Sequence, residues 1–125
     1  MVGFNKLVRV DIAAGHGAGW VDLPVSTLVP KNKTLVLQFV STSAEMPSGQ
    51  KPNPVIVVLD AKGSAVVQHY PVSHFQLVYA GSDIHKAAHF LHIVLKRDLT
   101  LRLDTTRDST TGDARCFFGL SGTIV

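Results

Sequence analysis

Apolar and polar side chains alternate one for one at three separate places in this chain, and few architectures accept that pattern. Leu7-Val8-Arg9-Val10-Asp11-Ile12 sets Val8, Val10 and Ile12 against Arg9 and Asp11. Leu99, Leu101 and Leu103 alternate with Thr100, Arg102 and Asp104, and Cys116, Phe118 and Leu120 alternate with Arg115, Phe117 and Gly119. A period of two is that of a pleated strand with one face buried. Composition agrees. Glu45 is the only glutamate, whereas Val, Ile and Thr number 17, 5 and 9 of 125 residues, and β-branched side chains suit a pleated surface better than a helix.

Further strands are marked by their punctuation. Trp20–Leu23 is a short strand closed by Pro24. Thr34–Ser41 follows the turn at Pro30–Lys33 and is apolar on both faces, with Leu35, Leu37 and Phe39 on one side and Val36, Gln38 and Val40 on the other. Val55–Leu59 is continuously apolar. Asp60–Gly63 is a hairpin turn into Ala65–Tyr70, which Pro71 ends. The prolines and glycine of Glu45–Pro54 predict the longest loop, and Thr105–Asp113 predicts a polar one. His74–Tyr79 is a further candidate strand. Gly81–Val94 is open between a capped short helix and a strand. About eight strands without a βα repeat predict one domain over residues 1–125, an all-β, antiparallel, jelly-roll-like sandwich.

Two segments strengthen this expectation. Trp20–Ser43 (WVDLPVSTLVPKNKTLVLQFVSTS) and Leu99–Val125 (LTLRLDTTRDSTTGDARCFFGLSGTIV) resemble small, uncharacterised bacterial β-sandwich proteins, many of which look exported. The resemblance implies a jelly-roll sandwich and transfers no catalytic residue. It does not extend over Lys51–His92.

Several function classes are disfavoured. Apolar runs are interrupted long before the ~20 residues a bilayer needs, so no membrane span is expected. The net charge of +3 comes from dispersed Lys and Arg, not from the single cationic stripe of a nucleic-acid binder. Cys116, the one cysteine, reads as a small core residue. The first residues lack the pattern of a signal peptide, which leaves the protein either cytoplasmic or secreted after removal of a leader. No phosphate loop, nucleophile elbow or cupin ligand set is present, so no catalytic residue and no cofactor are assigned.

Three functional readings remain. The first is a non-enzymatic binding module for a carbohydrate or a protein surface, acting through end loops. Trp20 and His16 beside the glycine-rich loop would be its contact residues, joined by Tyr70, His74 and Tyr79. The second is a small metal-dependent or acid–base enzyme. It would use His85, His89 and His92, whose spacings of four and three share one face only on a helix. The third is a structural subunit of a secreted or phage-derived assembly. Oligomerisation is expected besides, because Val36, Val40 and Phe117 oppose the presumed core residues of their strands and would be covered by another subunit. A trimer is the expected stoichiometry, by analogy with small jelly rolls.

Overall fold

The computed structural model describes residues 2–125, and among them the regular structure is nine strands and one 3₁₀ turn. The alternating segments each become strands: β1 (Val2–Ile12), β2 (Ala18–Pro24), β3 (Leu35–Pro47), β4 (Pro52–Leu59), β5 (Ala65–His69), β6 (His74–Tyr79), β7 (Ser82–Leu95), β8 (Thr100–Arg107) and β9 (Ala114–Ile124). One sheet has the order β1-β9-β3-β7-β6 and the other β2-β8-β4-β5, with every neighbour antiparallel. The chain passes back and forth between the two sheets, the nested Greek-key path of a jelly roll. β6 is an extra strand added to one sheet edge.

Between the sheets lie the inward residues of the alternating segments. Val10, Ile12, Leu101, Leu103, Cys116, Phe118 and Leu120 are among those essentially removed from water. Each large side chain so buried contributes about 1.5–3 kcal/mol. Burial also pushes the Cys116 thiol up to about 11, so it is a core hydrophobe and not a nucleophile.

The centre of β3 departs from simple alternation. The register slips between Leu37 and Phe39 against both neighbours. Such a bulge exchanges the two faces of a strand. Leu35 and Leu37 point into the core before it, while Val40, Thr42, Ala44 and Met46 do so after it, and Phe39 is turned outward. Val40 is therefore a core residue, contrary to its assignment to an oligomer face. Gly122 pairs with Leu37 at the bulge, where a Cβ would meet the Val36 carbonyl. Only glycine fits there.

Two predicted loops are partly strand, and the segment left open between helix and strand is strand. Glu45–Pro54 is mostly strand, and only residues 48–51 connect β3 to β4. Pro52 and Pro54 are accommodated because β5 begins to pair with β4 only at Ile56, so the missing N–H groups lie on a free edge. The open segment Gly81–Val94 takes its strand alternative from Ser82 onward, joined to β6 by the two-residue turn Ala80-Gly81. Both of its residues have positive φ (51° and 82°), as a type I′ turn requires. Finally, β8 extends through Thr105 to Arg107, both buried, into the predicted polar loop.

Arg107 ties that end of the sandwich together. Its guanidinium donates to the carbonyl oxygens of Ala13, His16 and Thr111 and to Gln50 Oε1, over 2.9–3.3 Å. Three connections, β1–β2, β3–β4 and β8–β9, thus converge on one charged group. Gly15 N–H to the Thr110 carbonyl (2.7 Å) and Ala14 N–H to Asp113 Oδ1 (2.9 Å) complete the closure.

Candidate functional site

Paired residues of neighbouring strands project to the same face, so the register assembles the outer face of the five-stranded sheet row by row. Asn5, Ser121, Phe39 and Phe90 form one row across β1, β9, β3 and β7. Leu7, Gly119, Ser41 and Ala88 form the next, and Arg9, Phe117, Ser43, Lys86 and His74 the one after that. Gly119, Ser41 and Ala88 carry the smallest side chains and leave a floor between taller neighbours. A groove of about 520 Å³ results, walled by Leu7, Phe117, Val72, His74 and Lys86.

The two ends of this face differ in chemistry. Toward the His16 loop it is ionic, with Arg115 on Glu45 at 2.9 Å and Arg9 on Asp11 at 3.3 Å. Both pairs are exposed, where such contacts contribute under about 1 kcal/mol. Toward the opposite end it is apolar. Phe39 and Phe90 meet with ring centroids 5.1 Å apart, and Val36 and Val94 pair beyond them. Phe90 is 88% exposed and Leu7 72%. Val36 and Phe117 are half-buried on this face.

The predicted ligand-contact residues are dispersed over the molecule. His16 is exposed in the β1–β2 loop, its carbonyl held by Arg107. Trp20 lies on a strand of the four-stranded sheet and not in an end loop. It is 57% exposed, with the Arg102 guanidinium 5.4 Å from its ring centroid. Arg102 also makes a two-point contact with Asp22, at 2.7 and 3.0 Å, which holds the Asp22 carboxyl below its ordinary range. Asp104, opposite Trp20 in the register, is shifted the other way by desolvation, and its Oδ1 is buried without a hydrogen-bond partner among the described residues. Tyr70 follows β5 and donates to Gln68 Oε1 (2.7 Å). His74 borders the groove, and Tyr79 ends β6. The five do not form one site.

Nor do His85, His89 and His92 converge. On the extended β7 the first two face inward, opposite Ala44 and Val40, and four residues separate them by about 13 Å. His92 is exposed. Among the described residues no group of three His, Cys, Asp or Glu side chains is placed to hold a metal ion. The helix that would have aligned them does not form.

Sequence reasoning missed a different grouping. His69 of β5 meets His89 edge-on at 5.4 Å, and Phe75 of β6 meets His85 at 5.7 Å. His89 Nε2 accepts from the Val72 N–H (3.1 Å), whereas the Nε2 atoms of His69 and His85 are buried without partners among the described residues. Desolvation, reinforced by His89, lowers the pKa of His69. Spacing along the chain carries no sign of this, because the contact joins opposite sheets.

Fold and surface together define the class: a jelly-roll sandwich with a groove on the outer face of one sheet. No protein-family model matches the chain, and no curated protein matches it. Among solved structures it is similar to the VP2 protein of infectious bursal disease virus in its subviral particle, at 9% identity and a TM-score of 0.44 over 94% of this chain and 32% of that one. For the Gx strain of the same virus the values are 12%, 0.47, 99% and 29%. For dimeric latent PorU from Porphyromonas gingivalis they are 12%, 0.46, 98% and 13%. The chain therefore spans less than a third of any of these. Among the described residues no helix is long and apolar enough to cross a membrane.

Proposed function

We propose that this chain is a non-enzymatic interaction module that works as a homo-oligomer and uses the apolar half of the five-stranded sheet's outer face to contact protein. Phe90 is the observation that carries the reading. A phenyl ring 88% exposed, packed on a second phenyl and bordered by Val36 and Val94, forfeits much of the ~2 kcal/mol its burial would contribute. Contiguous exposed apolar surface of this kind marks contact sites on folded proteins. A trimer is the stoichiometry we take forward, by analogy of fold. On this reading the chain is one of the small bacterial β-sandwich proteins that residues 20–43 and 99–125 resemble. A structural subunit of a larger assembly would differ only in particle size. Light scattering at micromolar concentration should give an oligomer for the wild type and a smaller particle for a folded Phe90→Glu variant. A monomeric wild type overturns the proposal.

A second reading is supported by the four-stranded sheet. Trp20 beside Asp22, Arg102 and Asp104 pairs an exposed indole with two carboxylates and a guanidinium, groups suited to stacking on a sugar ring and hydrogen bonding its hydroxyls. Glycan-array screening should then register binding that Trp20→Ala abolishes; binding retained by the variant excludes the site.

A further inference from the structure

We propose that the β5–β6 side of the sandwich seats a second copy of this chain, β6 running antiparallel to its own counterpart across a twofold axis. The proposal rests on the reading of the chain as an oligomer and places a contact apart from Phe90, one that joins two of the trimers built on the Phe90 face into a particle of six.

Both sheets end on this side, one at β6 and the other at β5. Among the described residues β6 pairs only with β7, so the backbone groups along its other edge have no strand partner there. Exposed edges are ordinarily protected by charge, and the opposite side of the sandwich follows that rule. There β1 carries Lys6, Arg9 and Asp11, and β2 carries Asp22. Here there is no such protection. Gly63–Ser82 contains no Asp, Glu, Lys or Arg over 20 residues, the longest such run in the sequence.

The side chains on this edge are apolar and in water. Eight large apolar residues between Val66 and Tyr79, among them Phe75, Leu77, Val78 and Tyr79, are 40–70% exposed. They are eight of the 14 exposed large apolar residues among the described ones, the kind of surface from which each partner of a stable interface of standard size buries ~800 Å². Depletion of charge with enrichment of aromatics is also the composition of an interface core.

The same features favour a second copy as the occupant. An isologous contact requires a surface complementary to itself, and an uncharged strand meets its own copy without opposing like charges. The bulge between Phe75 and Leu77 keeps the new ladder short, so side-chain burial supplies most of the contact. The outcome is one continuous sheet shared by two subunits.

Two variants test this. Gln76 lies at the middle of β6, near the proposed axis, so Gln76→Cys should form an intersubunit disulfide on mild oxidation. Val78→Lys should keep the wild-type circular dichroism spectrum and halve the particle mass at micromolar concentration, while Phe90→Glu leaves the Gln76→Cys cross-link intact. A folded Val78→Lys of unchanged mass, with no cross-link from Gln76→Cys, overturns the proposal. If Val78→Lys fails to fold, the cross-link alone decides. A mass lowered only by Phe90→Glu overturns this contact and leaves the oligomer reading standing; a monomeric wild type removes both.

Discussion

Arg107 is a single charged side chain on which three loops depend, so Arg107→Met isolates what the guanidinium contributes while keeping most of its aliphatic volume. Five hydrogen bonds to four groups are lost. Bonds to a charged donor contribute ~1.5–3 kcal/mol each, but they are not additive within one network. The carbonyls of Ala13 and His16 lie in an exposed loop and regain water, whereas Gln50 is buried and does not. The net loss is therefore about 3 kcal/mol. At ~4 °C per kcal/mol for a domain of this size, the melting temperature should fall by ~12 °C. Thermal unfolding followed by circular dichroism, at fixed protein concentration, measures it. Hydrogen exchange should show the amides of residues 13–17 and 108–113 losing protection first. Arg107→Lys should recover less than half, since one ammonium cannot reach acceptors on three loops. If Arg107→Met melts within ~3 °C of wild type with those amides still protected, the guanidinium does not hold the loops together.

Two other predictions concern the interior. Val40→Thr, isosteric but burying a hydroxyl, should cost about 1–3 kcal/mol, while Val36→Thr on the outer face stays within about 0.5 kcal/mol; equal effects in denaturant melts would refute the bulge-induced exchange of faces. The lowered pKa of His69 means that the unfolded chain binds its proton first as pH falls. Stability should be complete above the ordinary histidine value of 6.5 and decline as pH falls from there toward the lowered folded value. His69→Gln should flatten that decline in urea titrations at stepped pH, and an unchanged profile would refute it.

How much of this was legible along the chain follows from the reach of each signal. The hairpin at Asp60–Gly63 was, because Asp60 Oδ1 accepts from the Lys62 and Ser64 amides within the same few residues. The β6–β7 turn was not, since Ala80-Gly81 lacks the Asn or Asp that usually precedes glycine in a type I′ turn. Arg107 and Thr105 looked like loop because polarity locally predicts exposure. Only the arrival of Gln50 and of the β1–β2 loop gives the guanidinium its partners and removes it from water.

Side-chain period and residue supply, acting over a few neighbours, were enough to determine an all-β sandwich and most of its core, since a strand's inward set is read directly from every second residue. Faces and sites were decided elsewhere. A one-residue slip in β3 sent Val40 inward and Phe39 out, and a strand in place of a helix parted His85 from His92. Packing of the two sheets then brought His69 to His89. Those outcomes depend on register and on contacts between distant segments, which no local pattern encodes.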